Sequence, residues 1–127
     1  MPIDDALTGK IIECAMKVHR TMGPGFLESV YENALAHELR KAGLEVACQV
    51  PIPVRYDGIV VGDFTFDMLI AGQVIIENKA VLNLTGTHET QVVNYLTATS
   101  IDIGLLINFG APSLQYKRKY RRYSKQK

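Results

Sequence analysis

Apolar residues in the first third of the chain recur every three or four positions, the spacing of a buried helical face. The pattern predicts a first helix over residues 7–22, with Thr8 as its N-cap and Gly23-Pro24-Gly25 as the break that ends it. A second helix is expected over residues 27–42, and Gly43 stands where a C-terminal cap belongs. The chain therefore starts with two helices separated by a short loop.

After these helices the pattern becomes strand-like, because Val and Ile dominate. Pro51 and Pro53 lack backbone N–H donors, so the first strand is expected at an edge of the sheet. Segment 101–109 is nearly all apolar, which predicts a strand covered on both faces. The order ααβββαββ indicates an α+β fold in which helices cover a mixed sheet. The expected strands are 45–55, 59–70, 73–80, 101–109 and 114–121, with the third helix over about 87–99.

Length and composition indicate one ordinary domain over residues 1–127. The chain is 47% hydrophobic and 21% charged, and no apolar run approaches the ~20 residues that span a bilayer. Its first residues are acidic, unlike a secretory signal, so we expect a cytoplasmic protein with no membrane partner. Cys14 and Cys48 match no zinc spacing, which favours small hydrophobic side chains.

Positive charge is concentrated at the C-terminal end. Segment 117–127, KRKYRRYSKQK, holds seven of the fourteen Lys and Arg residues and no acid, while the rest of the chain carries seven basic and thirteen acidic side chains. Such a basic tail suits phosphate contacts and its tyrosines suit base stacking, but a solvated terminus has the same composition. The candidate nucleic-acid-binding residues are Lys117, Arg118, Lys119, Arg121 and Arg122.

The sharpest local feature is a Glu-x-Lys pair at the end of an apolar strand. In segment 74–79, VIIENK, alternation along the strand directs Glu77 and Lys79 to the same face. Charged groups in this position are costly unless they pair or bind a ligand. The carboxylate can hold a divalent cation while the lysine orients or deprotonates a water. A Glu–Lys ion pair at a solvated strand end explains the same pattern.

Asp67 on the preceding strand is a candidate partner for Glu77. A two-residue loop at Ala71-Gly72 would set Asp67 opposite Ile76, on the wrong face. A three-residue loop or a bulge would set it opposite Glu77, and we predict one of these. Asp63 shares the strand face of Asp67 and competes for the role. Mg²⁺ prefers such oxygen ligands, usually one or two carboxylates with waters and phosphate.

Two helices offer further polar side chains. Gln91 and Tyr95 lie one turn apart on the third helix, where Gln91 can hydrogen-bond a water or a phosphate and Tyr95 can pack beside it. His88, near the start of that helix, is more typical of a surface or capping residue. Glu28 opens the second helix three residues before Tyr31, and a carboxylate there suits either the helix dipole or a metal.

Several of these residues belong to short motifs whose order is distinctive: Gly25–Tyr31, Asp67, Glu77–Val81, His88–Gln91, Asn94–Leu96 and Gly104–Gly110. Together they resemble the PD-(D/E)XK nuclease superfamily and, within it, the small bacterial GxxExxY group, over about residues 7–121. Gln91-x-x-x-Tyr95 is also similar to the motif of RecB-like nucleases. Phe66 stands where the superfamily name has proline, and Asn78 where an apolar residue is usual.

The resemblance implies a restriction-endonuclease-like core and a site for Mg²⁺ or Mn²⁺. Lys79 would position the attacking water and stabilise developing charge, and Gln91 would contact that water or the phosphate. The implied metal ligands are Asp67, Glu77, the Asn78 carbonyl and Glu28, and the implied supporting residues are Tyr31, His88 and Tyr95.

The first hypothesis for the function is therefore a phosphodiesterase that acts on DNA or RNA. Two others stay open. One is a nucleic-acid-binding or assembly protein that keeps the fold without turnover, and the other is a metal-dependent hydrolase or binder of another phosphorylated molecule. The acidic body argues against a generic duplex binder. A domain of this size offers few phosphate contacts, which favours a homodimer or a partner subunit.

Overall fold

The computed structural model describes residues 5–121. Helices and strands follow each other in the expected order, ααβββαββ. Within the described range no helix has both the length and the apolar character needed to cross a membrane. The elements are α1 (Asp5–Met22), α2 (Glu28–Lys41), β1 (Val46–Tyr56), β2 (Ile59–Ile70), β3 (Val74–Lys79), α3 (Gly86–Thr99), β4 (Ile103–Asn108) and β5 (Gln115–Tyr120).

The strands form one mixed sheet in the order β1-β2-β3-β4-β5. β3 and β4 run parallel and α3 joins them, while the other neighbouring pairs are antiparallel. β1 lies at an edge, as its prolines predicted. The pairing of β1 with β2 continues to the pair Tyr56↔Ile59. The pairing of β2 with β3 stops much earlier along β2, at Met68↔Ile76. Residues 53–64 therefore extend past the paired part of β3 and are called the β arm.

Each face of the sheet carries its own apolar core. α1 and α2 cover one face, where Ile11, Leu35 and Ile76 are fully buried. α3 covers the other face, where its own Leu96 and Phe66 of β2 are buried in one cluster. All six residues of β4 are buried, which confirms the strand covered on both faces. Each buried aliphatic side chain contributes about 1.5–3 kcal/mol, so both layers anchor the central strands.

The helix ends correct one prediction and confirm another. Thr8 is not an N-cap: it is buried inside α1, and its hydroxyl accepts a 3.2 Å hydrogen bond from Arg118 Nε. α1 already begins at Asp5, three residues before Thr8. Gly43 does cap α2, because its φ of 85° and its N–H bond to the Arg40 carbonyl form a left-handed terminus.

Asn108, at the end of β4, ties this strand to the loop after β3. Its Oδ1 accepts hydrogen bonds from the N–H groups of Val81 (2.9 Å) and Gly110 (3.0 Å). Its Nδ2 donates to the Val81 carbonyl (2.8 Å) and the Gln115 side chain (2.9 Å). A Cβ on Gly110 would lie 2.5 Å from the Val81 backbone, so only glycine permits this approach. The clamp holds the chain directly after the strand end that carries Lys79.

We expect Asn108→Ala to lower the free energy of unfolding by about 3 kcal/mol, because it leaves half-buried backbone groups of Val81 and Gly110 without partners and empties a buried side-chain position. Urea denaturation measures this loss. The control is Asn33→Ala on the exposed face of α2, which should change stability by less than about 0.5 kcal/mol. A loss below about 1 kcal/mol for Asn108→Ala would show that the clamp is not needed to hold the loop.

Candidate active site

The turn between β2 and β3 decides whether Asp67 and Glu77 meet. Ile70 pairs with Val74, so the loop is the three-residue segment Ala71-Gly72-Gln73. Its first two residues have φ angles of 53° and 66°, as a tight left-handed turn requires. Continuing the register by one pair sets Asp67 opposite Glu77. The predicted three-residue loop is confirmed.

Asp67 and Glu77 are linked through their backbones. The Asn78 N–H donates to Asp67 Oδ2 at 2.8 Å, and the Asp67 N–H donates to Glu77 Oε1 at 3.3 Å. The other oxygen of Glu77 lies 3.8 Å from Lys79 Nζ. The predicted common face of Glu77 and Lys79 is therefore confirmed, and two carboxylates and one ammonium converge at the end of β3.

The electrostatics of this cluster favour an added cation. The pKa of Glu77 is raised to about 7, first by burial and then by the nearby charge of Asp67, against the opposing charge of Lys79. Burial also raises the pKa of Asp67, although the hydrogen bond from the Asn78 N–H lowers it. The single positive charge of Lys79 thus faces two carboxyl groups whose pKa values are both raised, and an added cation would favour their deprotonation.

Asp63 does not share this position. It pairs with Pro53 on the β arm and is exposed. Four residues of extended strand, about 13 Å, separate it from Asp67. The structure thus brings Asp67, and not Asp63, beside Glu77.

Asn78 offers the site its backbone alone. Its side chain is buried, and its Nδ2 donates to Met68 Sδ at 3.3 Å, on the face covered by α1 and α2. Within the described residues, its Oδ1 has no hydrogen-bond partner. Since neighbouring side chains of a strand face opposite ways, this amide points away from Glu77, and its main-chain carbonyl is the group left for a ligand.

The donor chemistry fits a hard divalent cation. Between residues 5 and 121, no three His, Cys, Asp or Glu side chains form a ready-made metal cluster. Two carboxylates and one backbone carbonyl are instead the sparse oxygen set that Mg²⁺ takes when water and phosphate complete its shell.

Two residues behind Asp67 were missed by sequence analysis. Gln49 interrupts the pairing of β1 with β2 and has a φ of 53°, unusual for a non-glycine residue. Its Nε2 donates to both carboxylate oxygens of Glu32, at 2.9 and 3.1 Å. A hydrogen bond from Gln49 also lowers the pKa of Asp67. The amide of Gln49 therefore bridges two carboxylates. The signal available for Glu32 was its place four residues after Glu28, while nothing in the sequence marks Gln49.

Glu28 reaches the same acidic region from the first turn of α2. It is exposed, and its charge contributes to the raised pKa values of both Glu77 and Glu32. It lies in the first turn of α2, where a carboxylate suits the helix dipole, and the N-cap residue Leu27 makes no side-chain hydrogen bond. Three glutamates and Asp67 therefore influence one another across α2, β2 and β3.

Tyr31 holds the loop in front of α2. Its hydroxyl donates to the Gly23 carbonyl and accepts a 3.1 Å hydrogen bond from the Phe26 N–H. Its ring stacks on Phe109, with centroids 4.7 Å apart. The buried tyrosine thus fixes the approach of the chain to Glu28 and supports the site from behind.

α3 places Tyr95 against the carboxylates. Tyr95 is buried, and burial together with the charges of Glu77 and Asp67 raises its pKa to about 12, so its hydroxyl keeps its proton. Gln91, one turn earlier, lines with Tyr95 a groove between α3 and the β arm. The structure therefore brings both to the same side of α3, with Tyr95 within the field of the carboxylates.

His88 caps α3. Its Nδ1 accepts a hydrogen bond from the Thr85 N–H at 3.1 Å, and its own N–H donates to Thr85 Oγ1 at 3.4 Å. This reciprocal pair is a capping box, which satisfies two donors at the helix start. The capping interpretation of His88 is confirmed.

The side chains of the basic segment within β5 point to both faces of the sheet. Lys117 to Tyr120 belong to β5, and Arg122 lies outside the described residues. Lys119 pairs with Glu89 at 2.8 Å, whereas Arg118 reaches α1 on the opposite face. Arg121 pairs with Asp102 at 2.9 Å. Intramolecular contacts therefore engage much of the charge expected to contact phosphates.

A family model described as the PD-(D/E)XK nuclease superfamily matches residues 5–122. The chain belongs to this superfamily. Asp67 and the segment Glu77-Asn78-Lys79 have the residue types and the Glu-x-Lys spacing of the pattern in its name, with Phe66 in place of the proline.

A solved structure shows the same fold, and a second one aligns with a lower score. A protein described as SSO0001 aligns with a TM-score of 0.60 at 17% identity, over 76% of this chain and 50% of its own. This chain therefore spans half the length of that relative. An alkaline exonuclease, LHK-Exo, from Laribacter hongkongensis aligns with a TM-score of 0.47 at 14% identity, over 96% of this chain and 73% of its own. No curated protein sequence matches the chain.

Proposed function

We propose that the chain is a metal-dependent nuclease that hydrolyses phosphodiester bonds of DNA or RNA. The observation that carries this proposal is the convergence of Asp67, Glu77 and Lys79 in a member of a nuclease superfamily. Their burial and their mutual charges distinguish them from a solvated ion pair, since exposed pairs rarely shift a carboxyl pKa to about 7.

Asp67, Glu77 and the Asn78 carbonyl would hold Mg²⁺ or Mn²⁺, with Glu28 supporting them. The bound cation would supply Lewis-acid chemistry, neutralising charge on the phosphate and activating a water. Lys79 would orient that water and offset the negative charge that develops on the phosphate.

Gln91 and the lysines of β5 are proposed to contact the substrate. Gln91 would donate a hydrogen bond to the water or a phosphate oxygen. Lys117 and Lys119 alternate with Arg118 along β5, so they lie on the face covered by α3. Lys117 would contact the phosphate backbone beyond the site, and Lys119 would do so by exchanging Glu89 for a phosphate.

The test combines metal titration with cleavage. Purified wild type and Glu77→Gln are heated across a series of Mn²⁺ and Mg²⁺ concentrations and incubated with single-stranded, duplex and branched DNA and with RNA. We expect metal to raise the melting temperature and start cleavage in wild type only. Stabilisation without cleavage would favour an idle binding protein or a different phosphorylated substrate. A wild type that ignores both metals would refute the proposal.

The bridge through Gln49 gives a separate prediction. Gln49→Gly should lower cleavage about tenfold or more, because Asp67 and Glu32 lose the amide between them. Stability should stay within about 1 kcal/mol, because glycine relieves the left-handed strain while the hydrogen bonds are lost. Cleavage rates and urea denaturation measure the two effects.

Asp57→Gly is the matched control, since Asp57 has a φ of 54° at the tip of the β arm. It should relieve similar strain and leave cleavage unchanged. Equal activity in Gln49→Gly and wild type would show that the bridge does not position Asp67.

A further inference from the structure

A large groove separates the β arm from α3. It has a volume of about 1220 Å³, above the range of about 300–1000 Å³ for small-molecule sites. Pro51, Pro53 and Phe64 line it from β1 and β2, and Asn94 and Ala98 from α3. The opening is thus larger than a small-molecule site requires.

The groove shares two residues of α3 with the candidate active site. Gln91 and Tyr95 line its wall, and the charges of Asp67 and Glu77 reach the Tyr95 hydroxyl. A ligand lying in the groove would therefore extend towards the carboxylates at the end of β3.

The groove lining carries an aromatic ring and neutral polar groups that suit contacts with bases, and it carries little charge. Phe64 is 51% exposed, and its ring centroid lies 6.3 Å from that of Tyr95, so it presents an open aromatic face beside a buried one. α3 adds neutral hydroxyl and amide groups, including Thr90 and Asn94. Among the described residues that line the groove, Arg55 is the only charged one. Stacking on aromatic rings is how proteins hold unpaired bases.

Two other occupants fit less well. A duplex is held mainly through phosphate contacts with several Lys and Arg side chains, and the lining has one cation. An extended peptide would add to the sheet edge at β1, where Pro51 and Pro53 lack the N–H donors that pairing needs.

We infer that this groove binds an unpaired nucleic-acid strand, with a base stacked on Phe64, and leads it to the carboxylate site. The inference rests on the proposed nuclease function and narrows its substrate to single-stranded DNA or RNA, or to unpaired segments of structured molecules. The low charge of the groove makes the binding only weakly dependent on salt.

The test measures binding separately from cleavage. Fluorescent oligo-dT, oligo-rU and a duplex of equal length are titrated with Glu77→Gln protein in EDTA, and anisotropy is followed at several salt concentrations. We expect at least tenfold tighter binding of a single strand than of the duplex. The oligo-dT and oligo-rU arms distinguish DNA from RNA. Stronger binding of the duplex would overturn the inference even where wild type cleaves nucleic acid.

Phe64→Ala, made in the same background, should weaken single-strand binding about tenfold. Tyr56→Ala is the matched control, because Tyr56 is a 73% exposed aromatic residue of the same arm that does not line the groove. It should leave binding unchanged. Equal binding by both variants would overturn the role of Phe64.

Ala98 gives a second pair that keeps the helix intact. Ala98→Glu should weaken single-strand binding by charge repulsion, while Ala98→Lys should strengthen it, with melting temperatures close to that of the parent. Equal affinities would place the strand elsewhere. A dimer that forms in sedimentation and that Ala98→Glu disperses would assign the groove to a second copy. Single-strand binding without cleavage by wild type would keep the inference and remove the nuclease function.

Discussion

Replacing Lys79 by methionine is expected to reduce the rate of nucleic-acid cleavage by about 10²–10³-fold. The ammonium lies 3.8 Å from the buried carboxylate of Glu77, beside the half-buried Asp67, so its loss would remove the group proposed to orient water and to offset phosphate charge. Methionine keeps the length and the apolar stem of the side chain. A single-turnover assay at saturating Mg²⁺ measures the chemical step without product release.

The metal response separates this role from a structural one. Lys79→Met should keep the stabilisation by Mn²⁺, since lysine is not a ligand and its removal leaves more negative charge for the cation. Lys41→Met is the control, because Lys41 forms an exposed ion pair with Glu38 on α2 and should leave cleavage unchanged. A Lys79→Met protein that retains more than about a tenth of the wild-type rate would contradict the assigned role.

The second large effect concerns the pH dependence of stability without metal. The pKa of Glu77 is about 7 in the folded protein and 4.5 for the isolated group. At a pH between these two values, the folded protein therefore keeps a proton on Glu77 that the unfolded chain has released. The free energy of unfolding should therefore be highest at low pH within this window and fall as pH rises through it, by at most about 3 kcal/mol. The raised pKa values of Asp67 and Glu32 act in the same direction.

Urea denaturation in EDTA at several pH values between 5 and 8 measures this effect. Glu77→Gln should remove most of the slope and exceed wild-type stability above pH 7, because the amide needs no deprotonation. Mn²⁺ at about a hundred times its Kd should add about 2.7 kcal/mol to wild type at pH 8 and much less to the variant.

Glu38→Gln serves as the control for this experiment. Ion pairing with Lys17 lowers the pKa of Glu38, so its titration affects stability only below the window. A wild type whose stability rises between pH 5 and 7 would contradict the assigned burial of Glu77.

Much of the site could be predicted because its decisive features are local. The alternation of a strand sets Glu77 and Lys79 on one face, and that rule needs no tertiary information. The parity of the turn then required a three-residue loop for Asp67 to face Glu77, and Ile70 pairs with Val74 as that loop demands. Prolines at the edge strand and the glycine after α2 follow from the same local chemistry.

Other features depend on contacts between distant segments. Threonine is a common helix cap, yet Thr8 is buried inside α1, where its hydroxyl accepts a hydrogen bond from Arg118 of β5. The basic segment has the composition of a tail, yet residues 117–120 pair with β4 and turn successive side chains to opposite faces. Composition reports what a segment prefers alone, whereas pairing across the sheet decides where its charges point.

The order of the elements, the strand that carries Glu77 and Lys79 and the turn that aligns Asp67 with Glu77 could be predicted from the sequence, because they depend on periodicity within a few residues. The bridge from Gln49 to Glu32 and the groove between the β arm and α3 become visible in the folded chain alone. The bridge needs a left-handed residue inside a strand, and the groove needs β1, β2 and α3 to meet. Such arrangements depend on contacts between residues far apart in the chain, such as Glu32 and Gln49, which are 17 positions apart. Local propensity does not predict such contacts.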